Sequence, residues 1–236
     1  MRTQIRIEPR FNGPPDSANG GYVCGLMAVT VNQPLSVRLH NPPPLGIDLT
    51  LCFDNVSGKW HLLQDERLIA AANIAHEHVY LNAHVPRPPD YERALSASLH
   101  FTGHHQHPFP DCFVCGPHRA MHEGLHIFPG KMTDSNLVAA PWSPDASLDD
   151  GQGKVRPEYI WAALDCPGYF ASVMPGRTAL LGELAVHIDR NVRIEEPCVI
   201  IGWQILIEGR KHKVGTALFD KNGDRCAVGV ATWIEV

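Results

Sequence analysis

A chain of 236 residues, 44% hydrophobic with a formal charge of −5, can form one large domain or two closely packed ones, and its composition is that of a globular rather than a disordered protein. Its longest apolar runs, such as Ile160 to Leu164, fall far short of the roughly 18 residues a membrane span requires. Lys and Arg form no dense tract and no Rossmann or P-loop glycine fingerprint occurs, so nucleic acid, membrane and dinucleotide are not expected partners.

The N-terminal residues are not followed by the apolar stretch of about 7 to 15 residues found in a secretory signal, so the expected location is cytoplasmic. The seven scattered cysteines are expected to be reduced thiols.

Along the chain, a short strand is expected over 4–11. Gly13-Pro14-Pro15-Asp16-Ser17 then leads into a small-residue helix over 21–29. Strands are expected over 35–40, 47–54, 59–65, 67–73 and 77–82, separated by turn residues such as Asn55-Val56-Ser57-Gly58. Residues 86–129 are rich in Pro and His and read as an irregular connector. A second apolar helix is expected over 157–174, with Pro157 and Glu158 suited to its first turn and a bend or break near Cys166-Pro167. Strands over 178–189, 198–208, 212–220 and 226–235 complete an antiparallel meander; Asn222-Gly223 marks its last hairpin and Arg210-Lys211-His212-Lys213 an earlier turn.

The order short strand, helix, antiparallel sheet therefore occurs twice. Setting Gly20 against Pro157, an offset of 137, aligns Tyr22 with Tyr159 and Ala28 with Asp165. A sheet wrapped around one apolar helix leaves a face uncovered, and pairing the two units covers it without a partner chain. The expected units are 1–100 and 101–236.

Several motifs bear on chemistry. Cys112 and Cys115 have C-x-x-C spacing, with His118, His122 and His126 downstream; connector residues, a metal site and a redox pair are the available readings, the first preferred. His122-Glu123-Gly124-Leu125-His126 spells H-E-x-x-H, but metal hydrolysis needs that pattern on a helix. Gly124 and Pro129-Gly130 favour a turn, so no metal and no cofactor are assigned. Asp165 is a carboxylate inside an apolar helix, where burial raises its pKa and N–H donors lower it. A structural Asp bonded to nearby backbone is the alternative. Asn19 can cap the first helix, and Gly20 and Gly21 leave its first N–H groups uncovered, where a developing oxyanion can be held. Close packing explains the same glycines equally well.

Cys112-Phe113-Val114-Cys115-Gly116-Pro117 followed by Gly124-Leu125 resembles the opening of hot-dog-fold acyl-CoA thioesterases related to the phenylacetyl-CoA thioesterases. Asn19-Gly20-Gly21 is similar to that family's His-Gly-Gly step, with Asn19 in place of histidine. The resemblance implies an α+β double hot-dog: two antiparallel sheets joined into one, each around a central helix. It implies thioester hydrolysis, with Asp165 as base or nucleophile, a Gly20 or Gly21 N–H activating the carbonyl, and an acyl-CoA or acyl-carrier thioester as partner. A second site would be degenerate, because Pro157 and Glu158 stand where the glycines should be and Ala28 stands opposite Asp165. Tyr22, Trp161 and Tyr169 are candidate substrate-binding residues, with core packing as the alternative for each. The same fold serves noncatalytic acyl-ligand binders and hydratases or dehydratases, and a homodimer of double-hot-dog chains is an available assembly.

Overall fold

A computed structural model describes residues 2–76 and 84–236. The chain opens with β1 (Arg2–Arg6), which stops short of the expected strand end because Pro9 starts a 3-10 turn, Pro9–Phe11. Next come α1 (Gly20–Val31), β2 (Leu35–Leu39), β3 (Asp48–Asp54), β4 (Lys59–Gln64) and β5 (Arg67–Ile74). The strand expected over 77–82 lies outside the described residues.

The connector is less irregular than its prolines suggested. It contains α2 (Tyr91–Ser98), whose first turn is capped by the Asp90 side chain accepting from the Arg93 N–H. Although α2 precedes residue 100, it packs on the sheet of the second half, burying Ala94 and Ala97 in one cluster with Val199, Ile201 and Phe219. Then follow β6 (Gly130–Lys131), β7 (Val138–Trp142), α3 (Pro157–Ala163) and α4 (Cys166–Ser172). The meander is β8 (Ala179–Ile188), β9 (Cys198–Glu208), β10 (Lys211–Phe219) and β11 (Arg225–Glu235).

Among the described residues, eleven strands form one antiparallel sheet in the order β1-β3-β4-β5-β2-β8-β11-β10-β9-β7-β6. The order is a near mirror: β2 answers β8, β5 answers β11, β4 answers β10, β3 answers β9, and β1 answers β7. The halves join where β2 meets β8, with Val37 opposite Leu184. This is the α+β double hot-dog arrangement. Both central helices are enclosed by sheet and by each other, which is why α1 is apolar almost all round.

Two glycines one turn apart bring α1 against α3. A Cβ at Gly21 would lie 2.6 Å from the Asp165 Cβ, and one at Gly25 would lie 2.6 Å from the Trp161 Cβ and 2.8 Å from the Glu158 Cα. Larger residues on that face would force the helices apart.

The second helix is two helices. Its break falls at Leu164-Asp165, slightly before the expected bend, because Pro167 has no N–H for the Ala163 carbonyl and its ring excludes the helical path there. The Leu164 carbonyl, freed by the break, accepts from the Thr216 hydroxyl at 2.9 Å. Asp165 therefore stands in the gap rather than inside a continuous helix. Among the described residues no helix is long and apolar enough to cross a membrane.

Candidate active site

The start of α1 exposes N–H groups that have no acceptor within the helix. Asn19 is the cap, and its own N–H reaches the Phe11 carbonyl at 2.7 Å. Its Oδ1 accepts from the Tyr22 N–H at 2.9 Å, and the Gly21 N–H donates to Asp165 Oδ2 at 3.0 Å. That leaves the Gly20 N–H, which has no protein acceptor among the described residues. Of the two expected carbonyl activators, one is engaged and one is free.

Asp165 is 2% exposed. Its Oδ2 takes a second hydrogen bond, from Asn19 Nδ2 at 2.9 Å, while Oδ1 has no hydrogen-bond partner. With Oδ1 of Asn19 committed to a backbone N–H, its amide can only present Nδ2 to the carboxylate. One Asn thus caps the helix and orients the acid. Burial pushes Asp165 up to about 7, opposed by the Gly21 and Asn19 donors. The placement agrees with the sequence reading: a carboxylate from the second half meets the helix start of the first.

Both elements line a cleft of about 690 Å³, together with Leu39, Phe109, Phe170 and Leu181. Tyr169 also lines it, and its hydroxyl donates to the Arg177 carbonyl at 2.8 Å. Tyr22 and Trp161 are placed elsewhere. Tyr22 stacks on Phe11 at 4.1 Å between centroids and faces Tyr159 at 5.9 Å, in an aromatic cluster on the far side of α1. Trp161 lies buried against Gly25.

The H-E-x-x-H segment is not helical. His122 and His126 both have positive φ, 68° and 51°; His122 is exposed near Asp145, and His126 faces the Ala120 carbonyl. Cys112 and Cys115 instead converge with Cys166, which directly follows Asp165, and the three sulfurs lie within 4.8 Å of one another. Cys115 and Cys166 thiols hold Cys112 well below the usual thiol range, while burial pushes Cys115 and Cys166 well above it. Sequence spacing could not reveal this triad, because Cys166 is remote in the chain and reaches it only through the packing of the halves.

The start of α3 is built differently. Pro157 occupies its first position, as Gly20 does in α1, and the cap residue Arg156 offers no capping side chain. Arg156 Nε instead reaches Glu158 Oε1 at 2.7 Å, and Glu158 is 2% exposed. Ala28, the counterpart of Asp165, carries no polar group and is buried.

No family model and no curated protein matches the sequence. Solved structures do match. The tesB protein of Mycobacterium avium subsp. paratuberculosis aligns with a TM-score of 0.65 at 11% identity, over 100% of this chain and 92% of that one. A thioesterase II candidate from Thermobifida fusca aligns with a TM-score of 0.61 at 13% identity, again over 100% and 92%. At such identities the likeness is one of fold, and the chain shares the whole double-hot-dog architecture of these two proteins.

Proposed function

We propose that this chain hydrolyses an acyl-CoA or related acyl thioester at one site per chain. The observation that carries the reading is Asp165: buried, anchored through Oδ2 to the start of α1, with Oδ1 unpartnered and the free Gly20 N–H lining the same cleft. The fold shared with the tesB protein and the thioesterase II candidate suggests the reaction class by analogy.

In this reading the thioester carbonyl oxygen accepts the Gly20 N–H. Asp165 Oδ1 takes a proton from water as the water oxygen adds to the thioester carbon, and the resulting oxyanion strengthens its bond to Gly20. Collapse of the tetrahedral intermediate breaks the carbon–sulfur bond. The departing sulfur recovers the proton from Asp165, releasing thiol and carboxylic acid. Asn19 acts as a positioning residue, holding Oδ2 and leaving Oδ1 as the unpartnered oxygen. The apolar walls at Leu39, Phe170 and Leu181 suit an acyl chain.

A series of CoA thioesters of increasing acyl length, read by release of free thiol, tests the activity. Turnover of at least one member is the expected result. Saturable binding of acyl-CoA with no thiol released from any member would replace hydrolysis with ligand binding.

A further inference from the structure

We infer that Cys112, Cys115 and Cys166 form a three-thiolate site for a soft divalent cation, zinc above all, beside the cleft. The sulfurs of Cys112 and Cys166 stand 3.8 Å apart, and all three lie within 4.8 Å of one another. A tetrahedral zinc ion with zinc–sulfur bonds of about 2.3 Å places its sulfurs about 3.8 Å apart, so the triad has nearly the spacing the ion requires.

The neighbouring polar groups can support bound sulfur ligands. Asn19 Nδ2 approaches the Cys112 sulfur at 3.9 Å. His107 Nε2 lies 3.3 Å from the Cys115 sulfur. His107 Nδ1 accepts from the Phe109 N–H at 2.9 Å, so Nε2 carries the proton and serves as a donor to sulfur, not as a metal ligand. Such N–H donors orient ligating sulfurs and offset the negative charge of a three-thiolate centre. The turn is shaped for it. The Gly116 N–H bonds the Cys112 carbonyl at 2.9 Å, and a Cβ at Gly116 would lie 2.5 Å from the Cys112 backbone.

Three protein ligands leave the fourth position of a tetrahedral ion to water. All three cysteines line the cleft, which gives that position access to solvent. The site ties the connector to the residue after Asp165, clamping the α3–α4 break. Thiolates select zinc over magnesium or calcium. Binding needs only these side chains, so the inference stands whether or not Asp165 is catalytic.

The test is zinc content of the full chain, purified reduced and without a metal-affinity step, together with the absorption spectrum after Co²⁺ replaces the bound metal. The expected result is one zinc per chain and a thiolate-to-cobalt charge-transfer band. Cys166→Ser should lose the zinc, while Cys52→Ser, outside the triad, should keep it. If Cys166→Ser fails to fold, the cobalt spectrum of the unaltered chain decides alone. Neither zinc nor a charge-transfer band in the reduced chain would overturn the site, and so would a Cys112–Cys166 disulfide in protein that takes up no metal.

Discussion

The starts of α1 and α3 occupy matching places in a duplicated fold, yet only α1 meets a carboxylate from the other half. At α1, Asn19 caps the helix, Gly21 approaches the other half closely enough to bond Asp165, and Gly20 keeps a free N–H. At α3, Pro157 removes the equivalent N–H, and Arg156 with Glu158 fills the space with an internal ion pair. In the proposed mechanism a helix start needs two separable features: an uncovered donor on one helix and a carboxylate delivered by the other. The second start lacks both. Tyr22 and Tyr159, third residues of their helices, remain alike and pack across the join, so the duplication is preserved where it serves the core.

This contrast can be broken from either side. Removing the carboxylate should have the largest effect: Asp165→Asn should lower kcat by about 10²- to 10⁴-fold, the usual loss when a general base is removed, with acyl-CoA binding retained. Gly21→Ala should come next. Its Cβ would meet the Asp165 Cβ at 2.6 Å and the Trp161 carbonyl at 2.9 Å, and the forced separation of α1 from α3 should cost about 3 kcal/mol in denaturant unfolding and much of the activity. Glu158→Ala should destabilise by about 2 kcal/mol, less than a fully buried pair because Arg156 is half-exposed, while kcat of the folded protein stays near that of the unaltered chain. Asn19→Ala should cost about 1 kcal/mol as a lost helix cap and lower kcat about tenfold by releasing Oδ2. A larger kcat loss from Glu158→Ala than from Asn19→Ala would reverse the assignment of the two starts.

Local signals were legible in the sequence, and long-range ones were not. Asn19 before two glycines announces a helix start with bare N–H groups, and the meander from Ala179 to Glu235 follows its turn residues closely. Asp165 stands out as the one acid in an apolar run, and Pro167 marks the break, though its effect is felt at the residues before it. The partners were beyond reach. Nothing near Cys112 points to Cys166, and the convergence of the three sulfurs depends on how the two halves dock. Aromatic residues were equally ambiguous, since core and cleft ask for the same side chains: Tyr169 lines the cleft, while Tyr22 and Trp161 pack inside. The helix Tyr91–Ser98 was obscured by flanking prolines, although Asp90 followed by Glu92 in the first turn is a start signal. Gly21 and Gly25, spaced one turn apart, were a readable sign of helix contact.

The proposed chemistry has one site per chain with Asp165 as its general base. Titrating Asp165→Asn with an acyl-CoA that the unaltered chain hydrolyses, while following both bound ligand and free thiol, tests it most directly. One equivalent bound per chain with thiol release slowed at least about 100-fold is the predicted result; two equivalents per chain, or thiol release at the rate of the unaltered protein, would contradict it.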